Sequence, residues 1–175
     1  MPSSRGLDEA LFYGRFGGNV YDGSKITIPP GWESIQKVSD EKSGFAAEVY
    51  KKGNEIVISY RGSDEFKDLK ADAEFIAGYW SKNLPALKAQ VQEAEKLYKI
   101  VRESNPDAKI TITGHSLGGG PSQIVVARNS DDANLFGITI GAPGVKHLAD
   151  TFEFDPNGQY KITNYAGYLD PIANL

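Results

Sequence analysis

The residues best placed to do chemistry are Gly114-His115-Ser116-Leu117-Gly118, a G-x-S-x-G run. A serine hydroxyl attacks an acyl carbon only when it is held out of the backbone and relieved of its proton. A sharp turn between a strand and a helix meets the first need, and glycines on either side let that turn pack tightly. The flanks fit this arrangement. Ala108-Lys109-Ile110-Thr111-Ile112-Thr113 alternates β-branched and other residues as a strand does, and Gly119 to Arg128 reads as a helix. A glycine-rich strand-to-helix turn can also cradle a phosphate. Here no Gly-Lys-Ser/Thr ending follows, which disfavours a P-loop. The serine would need a base to take its proton, and donors to meet the oxyanion that attack creates. One such donor is expected from the backbone N–H of Leu117, the residue after the nucleophile.

The elements around this motif alternate. Asp8 to Tyr21 carries apolar residues at near-helical spacing, although Gly14, Gly17 and Gly18 weaken it. Three strand-like runs follow, Trp32 to Val38, Gly44 to Tyr50 and Glu55 to Tyr60, the last two joined by the hairpin signal Lys51-Lys52-Gly53-Asn54. Asp64 to Tyr79 reads as helical. Leu84, Leu87, Val91, Ala94, Tyr98 and Val101 mark one face of a long amphipathic helix, with Asn83 as its cap, Pro85 in its first turn and Asn105-Pro106 as its stop. Two further strands are expected over Leu135 to Ile140 and Tyr160 to Asn164. This order implies an α/β fold with a mostly parallel sheet, helices on both faces and an antiparallel portion from the early hairpin, the α/β-hydrolase architecture.

Composition narrows the class. The chain has 175 residues, enough for one domain (1–175) with a sizeable core. Its net charge is −4 and its basic residues are scattered, which argues against nucleic acid as a partner. No apolar run approaches the ~20 residues that span a bilayer, and the first six residues have no hydrophobic signal core. With no cysteine, disulfides and cysteine-based metal or redox chemistry are excluded. A cytosolic location and export without a cleaved signal fit equally well.

Four blocks carry a resemblance. Ile58-Ser59-Tyr60-Arg61-Gly62-Ser63-Asp64, Gly114-His115-Ser116-Leu117-Gly118-Gly119, Thr139-Ile140-Gly141-Ala142-Pro143-Gly144-Val145, and Ile162-Thr163-Asn164-Tyr165 leading to Asp170-Pro171-Ile172 resemble, in order and spacing, the class 3 lipases, the fungal-lipase-like α/β-hydrolases. The resemblance implies an ester hydrolase acting on acylglycerols, phospholipids or simpler carboxylic esters through an acyl-Ser116 intermediate, with no metal or organic cofactor. It implies that Ser63 is a second oxyanion donor, through its N–H and hydroxyl. Its ordinary reading is a turn or helix-capping serine. The resemblance also makes Asp170 the triad acid, where Asp-Pro after a strand is otherwise a turn.

The histidine departs from the pattern. In this architecture the chain order is Ser, Asp, His, yet only five residues follow Asp170 and none is a histidine. His115 is expected to point away from the hydroxyl and pack. His147 could serve as an out-of-order base, although an exposed loop histidine is its ordinary reading. Loss of a triad member lowers kcat by about 10⁴- to 10⁶-fold, so these residues alone are expected to be nearly inert, the family's base lying beyond a truncated C-terminus. The alternative is a hydrolase-shaped binding or interaction module that has dispensed with its base. Gly120 and Pro121 also depart from the family's small helix formers, so the elbow helix is expected to start late or kink. Asp64, Asp68 and Asp72 could gather on one helix face, a solvated acidic face by default and a calcium site otherwise. Phe75 to Trp80 could line an acyl pocket, contact a lipid surface or simply pack in the core.

Overall fold

Alternation along the strands divides the core between two faces of one sheet. The computed structural model describes residues 4–19, 27–62 and 83–165. Six strands, β1 (Glu33–Asp40), β2 (Phe45–Lys52), β3 (Glu55–Tyr60), β4 (Lys109–His115), β5 (Leu135–Ile140) and β6 (Ile162–Tyr165), lie side by side in chain order. β1, β2 and β3 run antiparallel to one another, and β3 through β6 are parallel. The β2–β3 hairpin pairs Lys52 with Glu55, leaving a two-residue Gly53-Asn54 loop in which Gly53 has φ +58°. Glycine first with positive φ is the type II′ choice, whose twist suits a hairpin.

β1 is a mostly exposed edge strand, carries Glu33, Lys37 and Asp40, and has a register irregularity between Ser34 and Gln36. Charge and a bulge both discourage a further strand from pairing there. On one face, Ile56, Ile58 and Tyr60 of β3 and Ile110 and Ile112 of β4 pack with Ala94, Leu97, Tyr98 and Val101 of α2 (Leu84–Ser104) and with Val125 and Val126 of α3 (Gly119–Arg128). On the other, Val57 and Tyr50 meet Phe16 of α1 (Ser4–Asn19) together with Trp32. Helices therefore cover both faces, as expected.

α1 forms despite its glycines. Phe12 and Phe16 make edge-on contacts with Trp32, and Phe16 also meets Tyr50. Aromatic packing of this kind outweighs the ~1 kcal/mol that each glycine costs a helix. Asn83 stands at the N-cap of α2 but makes no side-chain cap hydrogen bond, contrary to its expected capping role; its carbonyl accepts the Leu87 N–H instead, and Pro85 occupies the first turn. The expected helix over Asp64 to Tyr79, with its acidic face and aromatic run, lies outside the described residues.

Polar staples close the edge of the sheet from which the parallel strands start. Asp132, in the connection from α3 to β5, accepts hydrogen bonds from Tyr98 (2.6 Å) and Arg102 Nε (2.8 Å), and Arg102 Nη1 also donates to the carbonyls of Asn105, Pro106 and Ala108. Partial burial pushes the Asp132 carboxyl up, but the bonds from Tyr98 and the Asn134 N–H, with the charge of Arg102, outweigh it and hold it below its ordinary value. Burial, then the hydrogen bond to Asp132, raise the Tyr98 phenol to about 12.

Candidate active site

β4 delivers its last residue, His115, in extended conformation (φ −105°, ψ 142°), and the chain then turns within one residue. Ser116 has φ +52°, in the left-handed region. For a residue with a Cβ this costs of order 1–3 kcal/mol and persists only where the surroundings over-determine it. A short 3₁₀ turn, Ser116–Gly118, runs straight into α3 at Gly119. The helix thus does not start late. Pro121 falls in its first turn, where a missing N–H is tolerated.

Three glycines make the turn possible. A Cβ at Gly114 would lie 2.4 Å from the Gly118 carbonyl oxygen, one at Gly118 would lie 2.6 Å from the Tyr60 oxygen and 2.9 Å from the Gly62 nitrogen, and one at Gly119 would lie 2.2 Å from the Ala142 Cβ. The turn is therefore wedged between the end of β3 and the loop leaving β5. This is the edge outside the carboxyl ends of the parallel strands, where sites of α/β sheets form. Leu117 is buried with Leu87, Val91, Ile124, Val145 and Leu148, which anchors the turn from below. Its N–H belongs to the first turn of the helical segment, where the ladder supplies no acceptor. Ser116 itself is half-buried.

The other expected site residues divide. Ser63 and Asp170 lie outside the described residues. The residue before Ser63, Gly62, is buried beside the elbow. The segment toward Asp170 leaves β6 at Tyr165, whose carbonyl accepts the Gly141 N–H at 2.9 Å at the same edge. His147 is exposed in a 3₁₀ turn, Lys146–Leu148, whose neighbours Val145 and Leu148 pack in the Leu117 cluster. His115 is exposed, not packed as expected, because the alternation of β4 carries it past the covered part of the sheet.

Sequence reasoning missed a set of polar side chains behind the elbow. Ser122 donates to the Gly118 carbonyl at 2.9 Å, and Gln123 donates to the carbonyls of Gly119 (3.2 Å) and Pro143 (2.9 Å). Thr139, fully buried, donates to Asn164, which donates in turn to the Ala142 carbonyl, each at 3.0 Å. The available signal was a serine and a glutamine in a helix whose other residues are almost all apolar or glycine. Ser59, one turn of the strand pleat before this edge, is also fully buried, and its hydroxyl has no hydrogen-bond partner among the described residues.

Among the described residues no cluster of His, Asp or Glu could hold a metal ion, and no helix is long and apolar enough to cross a membrane. A cavity of about 670 Å³ lies at the opposite edge of the sheet, between α1 and the first residues of β3 and β4, lined by Phe12, Trp32, Lys52, Glu55 and Lys109 among others.

Solved structures share this fold. An MDLA variant from Penicillium cyclopium matches all of this chain and 76% of its own, with TM-score 0.64 and 17% identity. A Rhizomucor miehei lipase in a propeptide complex matches 81% of this chain and 54% of its own, with TM-score 0.51 and 20% identity, so the chain spans about half that protein's length. A triacylglycerol lipase whose catalytic centre is formed by a serine protease triad matches 87% of this chain and 68% of its own, with TM-score 0.52 and 20% identity. No curated protein matches in sequence. A family model for phospholipase-like proteins, the Tle-like phospholipase domain, matches residues 15–139, a span that runs from α1 through the elbow to β5, and the chain belongs to that family.

Proposed function

We propose that the chain is a carboxylic ester hydrolase domain of the lipase and phospholipase type, with Ser116 as nucleophile and acyl esters of glycerol or phosphoglycerol as substrates. The Ser116 Oγ adds to the ester carbonyl as its proton passes to a base. The resulting oxyanion is met by the Leu117 N–H and by Ser63, which follows Gly62 in the chain. Collapse expels the alcohol, which takes the proton back from the base, and leaves an acyl-Ser116 ester. Water then attacks the acyl carbon, the base takes its proton, and the carboxylic acid leaves as the Ser116 hydroxyl reforms. Asp170 orients the base. That base is His147 or a histidine contributed from outside these residues. The observation that carries the reading is the left-handed φ of Ser116 at the carboxyl edge of the parallel strands, and family membership supports it.

A fluorophosphonate probe and intact-protein mass spectrometry test the reading. With the base present, as His147 or supplied by restoring the native downstream residues, one adduct is expected at Ser116 and none on Ser116→Ala, with turnover of a chromogenic short-chain ester lost in the same variant. Labelling or turnover that survives Ser116→Ala overturns the assignment. His147→Ala decides the base. A fall of about 10⁴-fold in turnover assigns the role to His147, and an unchanged rate assigns it elsewhere.

A further inference from the structure

The loop that leaves β5 offers two successive carbonyls, and each is taken by a side-chain amide from a different element. Asn164 of β6 donates to Ala142 at 3.0 Å, and Gln123 of α3 donates to Pro143 at 2.9 Å. Gln123 uses the same amide group to bond the Gly119 carbonyl in the elbow itself, and Thr139 fixes the orientation of Asn164 by donating to its carbonyl oxygen. Between these bonds, Ala142 sits against Gly119 so closely that no Cβ fits there. The elbow, the β5 loop and β6 are thereby joined in one line of contacts.

We propose that Gln123 and Asn164 are positioning residues, a two-sided amide clamp on the Ala142-Pro143 carbonyls that holds the Ser116 elbow in register with the strand leading to Asp170. The proposal rests on the assignment of Ser116 as nucleophile. Neither side chain touches the reacting atoms. Gln123 is nearly fully buried, Thr139 completely so and Asn164 half-buried, and polar groups so enclosed favour one arrangement, because a slip of the loop leaves the Gln123 donors and the carbonyls unpaired. Other contacts already tie the loop to the rest of the sheet, such as the bond from Gly141 N–H to Tyr165. The clamp therefore sets placement rather than deciding whether the domain folds.

The test compares Gln123→Met, which keeps the volume and removes both donors, with Asn164→Asp, which keeps the acceptor for Thr139 and removes the donor to Ala142. Site-resolved amide hydrogen exchange is expected to rise at least about 10-fold at Leu117 to Gly119 and at Gly144 in each variant, while the β2–β3 hairpin changes less than about 2-fold. The maximal rate of phosphonylation at Ser116 is expected to fall about 10-fold with the half-saturating probe concentration unchanged, and the double variant to lose little more than either single one. A uniform rise in exchange, no rise at the elbow, or a wild-type maximal rate in the variants overturns the clamp. If the wild-type chain takes no probe even when the outside histidine is supplied with the native downstream residues, the assignment of Ser116 fails, and the exchange pattern alone judges the clamp.

Discussion

Gly118→Ala is the sharpest perturbation of the elbow. Its φ of −65° and ψ of −20° are helical, so alanine meets no backbone strain there and would add up to ~1 kcal/mol of helix propensity. Space alone opposes it. The new Cβ would stand 2.6 Å from the Tyr60 oxygen, 2.8 Å from the Arg61 carbonyl carbon and 2.9 Å from the Gly62 nitrogen. These are backbone atoms of the end of β3, which cannot swing aside as a side-chain tip can. Restoring an ordinary 3.4 Å contact to the Tyr60 oxygen requires a separation of about 0.8 Å between the elbow and the strand that leads to Ser63. Overpacking of this type costs about 1–3 kcal/mol. Net of the helix gain about 0–2 kcal/mol remains, so Tm should fall by up to roughly 8 °C for a chain of this size. The functional effect should be larger. A displacement near 1 Å between nucleophile and oxyanion donors costs about 10²-fold, so phosphonylation of Ser116 should slow by about that factor at a temperature well below Tm. Differential scanning calorimetry and probe kinetics on the purified variant read both quantities. A Gly118→Ala chain with unchanged Tm that labels at the wild-type rate would refute the packing of the elbow on β3, and with it the support that packing lends to the proposed role of Ser63.

Gly53→Ala is the converse case: nothing lies within 4 Å of the added Cβ, but φ is +58°, so thermal denaturation should show a loss of about 1–2 kcal/mol with labelling at Ser116 unaffected. Ser59→Ala removes a buried hydroxyl without a partner, and chemical denaturation should show a gain of about 1 kcal/mol; a loss would mean that the hydroxyl is satisfied. Asp132→Asn withdraws the charged acceptor shared by Tyr98 and Arg102 and should cost about 2 kcal/mol at pH 7. Because the folded carboxyl lies below its ordinary value, that stability is present above the unfolded pKa of about 3.9 and is lost as the pH falls through the folded one. The Tm gap between Asp132→Asn and wild type should therefore be constant from pH 7 to about pH 5 and close below pH 4.

Much of this molecule is legible in its sequence because local signals and tertiary packing agree. The alternation Lys109-Ile110-Thr111-Ile112-Thr113 sends the isoleucines toward α2 and α3 and Thr111 toward Tyr13 of α1. The stripe Leu87, Val91, Ala94, Tyr98 and Val101 is the buried face of α2. Where the structure departs from these expectations, the cause is a detail of backbone geometry or a contact distant in sequence. Asn83 reads as a cap, yet a carbonyl rather than its side chain serves the helix start. Pro121 reads as a break, but the 3₁₀ turn before it places the proline in a first turn. His115 reads as packed, but whether the end of a strand is covered depends on elements distant in sequence. The clamp was illegible for the same reason: the bond from Gln123 to Pro143 spans 20 residues and that from Asn164 to Ala142 spans 22, and nothing local marks either carbonyl as a partner.

The strain at Ser116 and the assembly of the site have one cause. A serine at φ +52° would relax toward the β or right-handed region if its neighbours could move. They cannot: Gly114, Gly118 and Gly119 are in contact with the Gly118 carbonyl, the end of β3 and Ala142 respectively, and Leu117 is sealed in a hydrophobic cluster. The contacts that forbid relaxation are the same ones that bring Gly62 and the β5 loop beside the serine. A variant that released the strain by loosening these contacts would also separate the groups that the proposed mechanism brings to the acyl carbon. Stability gained at the elbow should therefore come at the expense of reactivity, whereas stability gained at the Asp132 staple, at the far edge of the sheet, should not. That contrast follows from geometry alone, since the two networks share the sheet but no side chain.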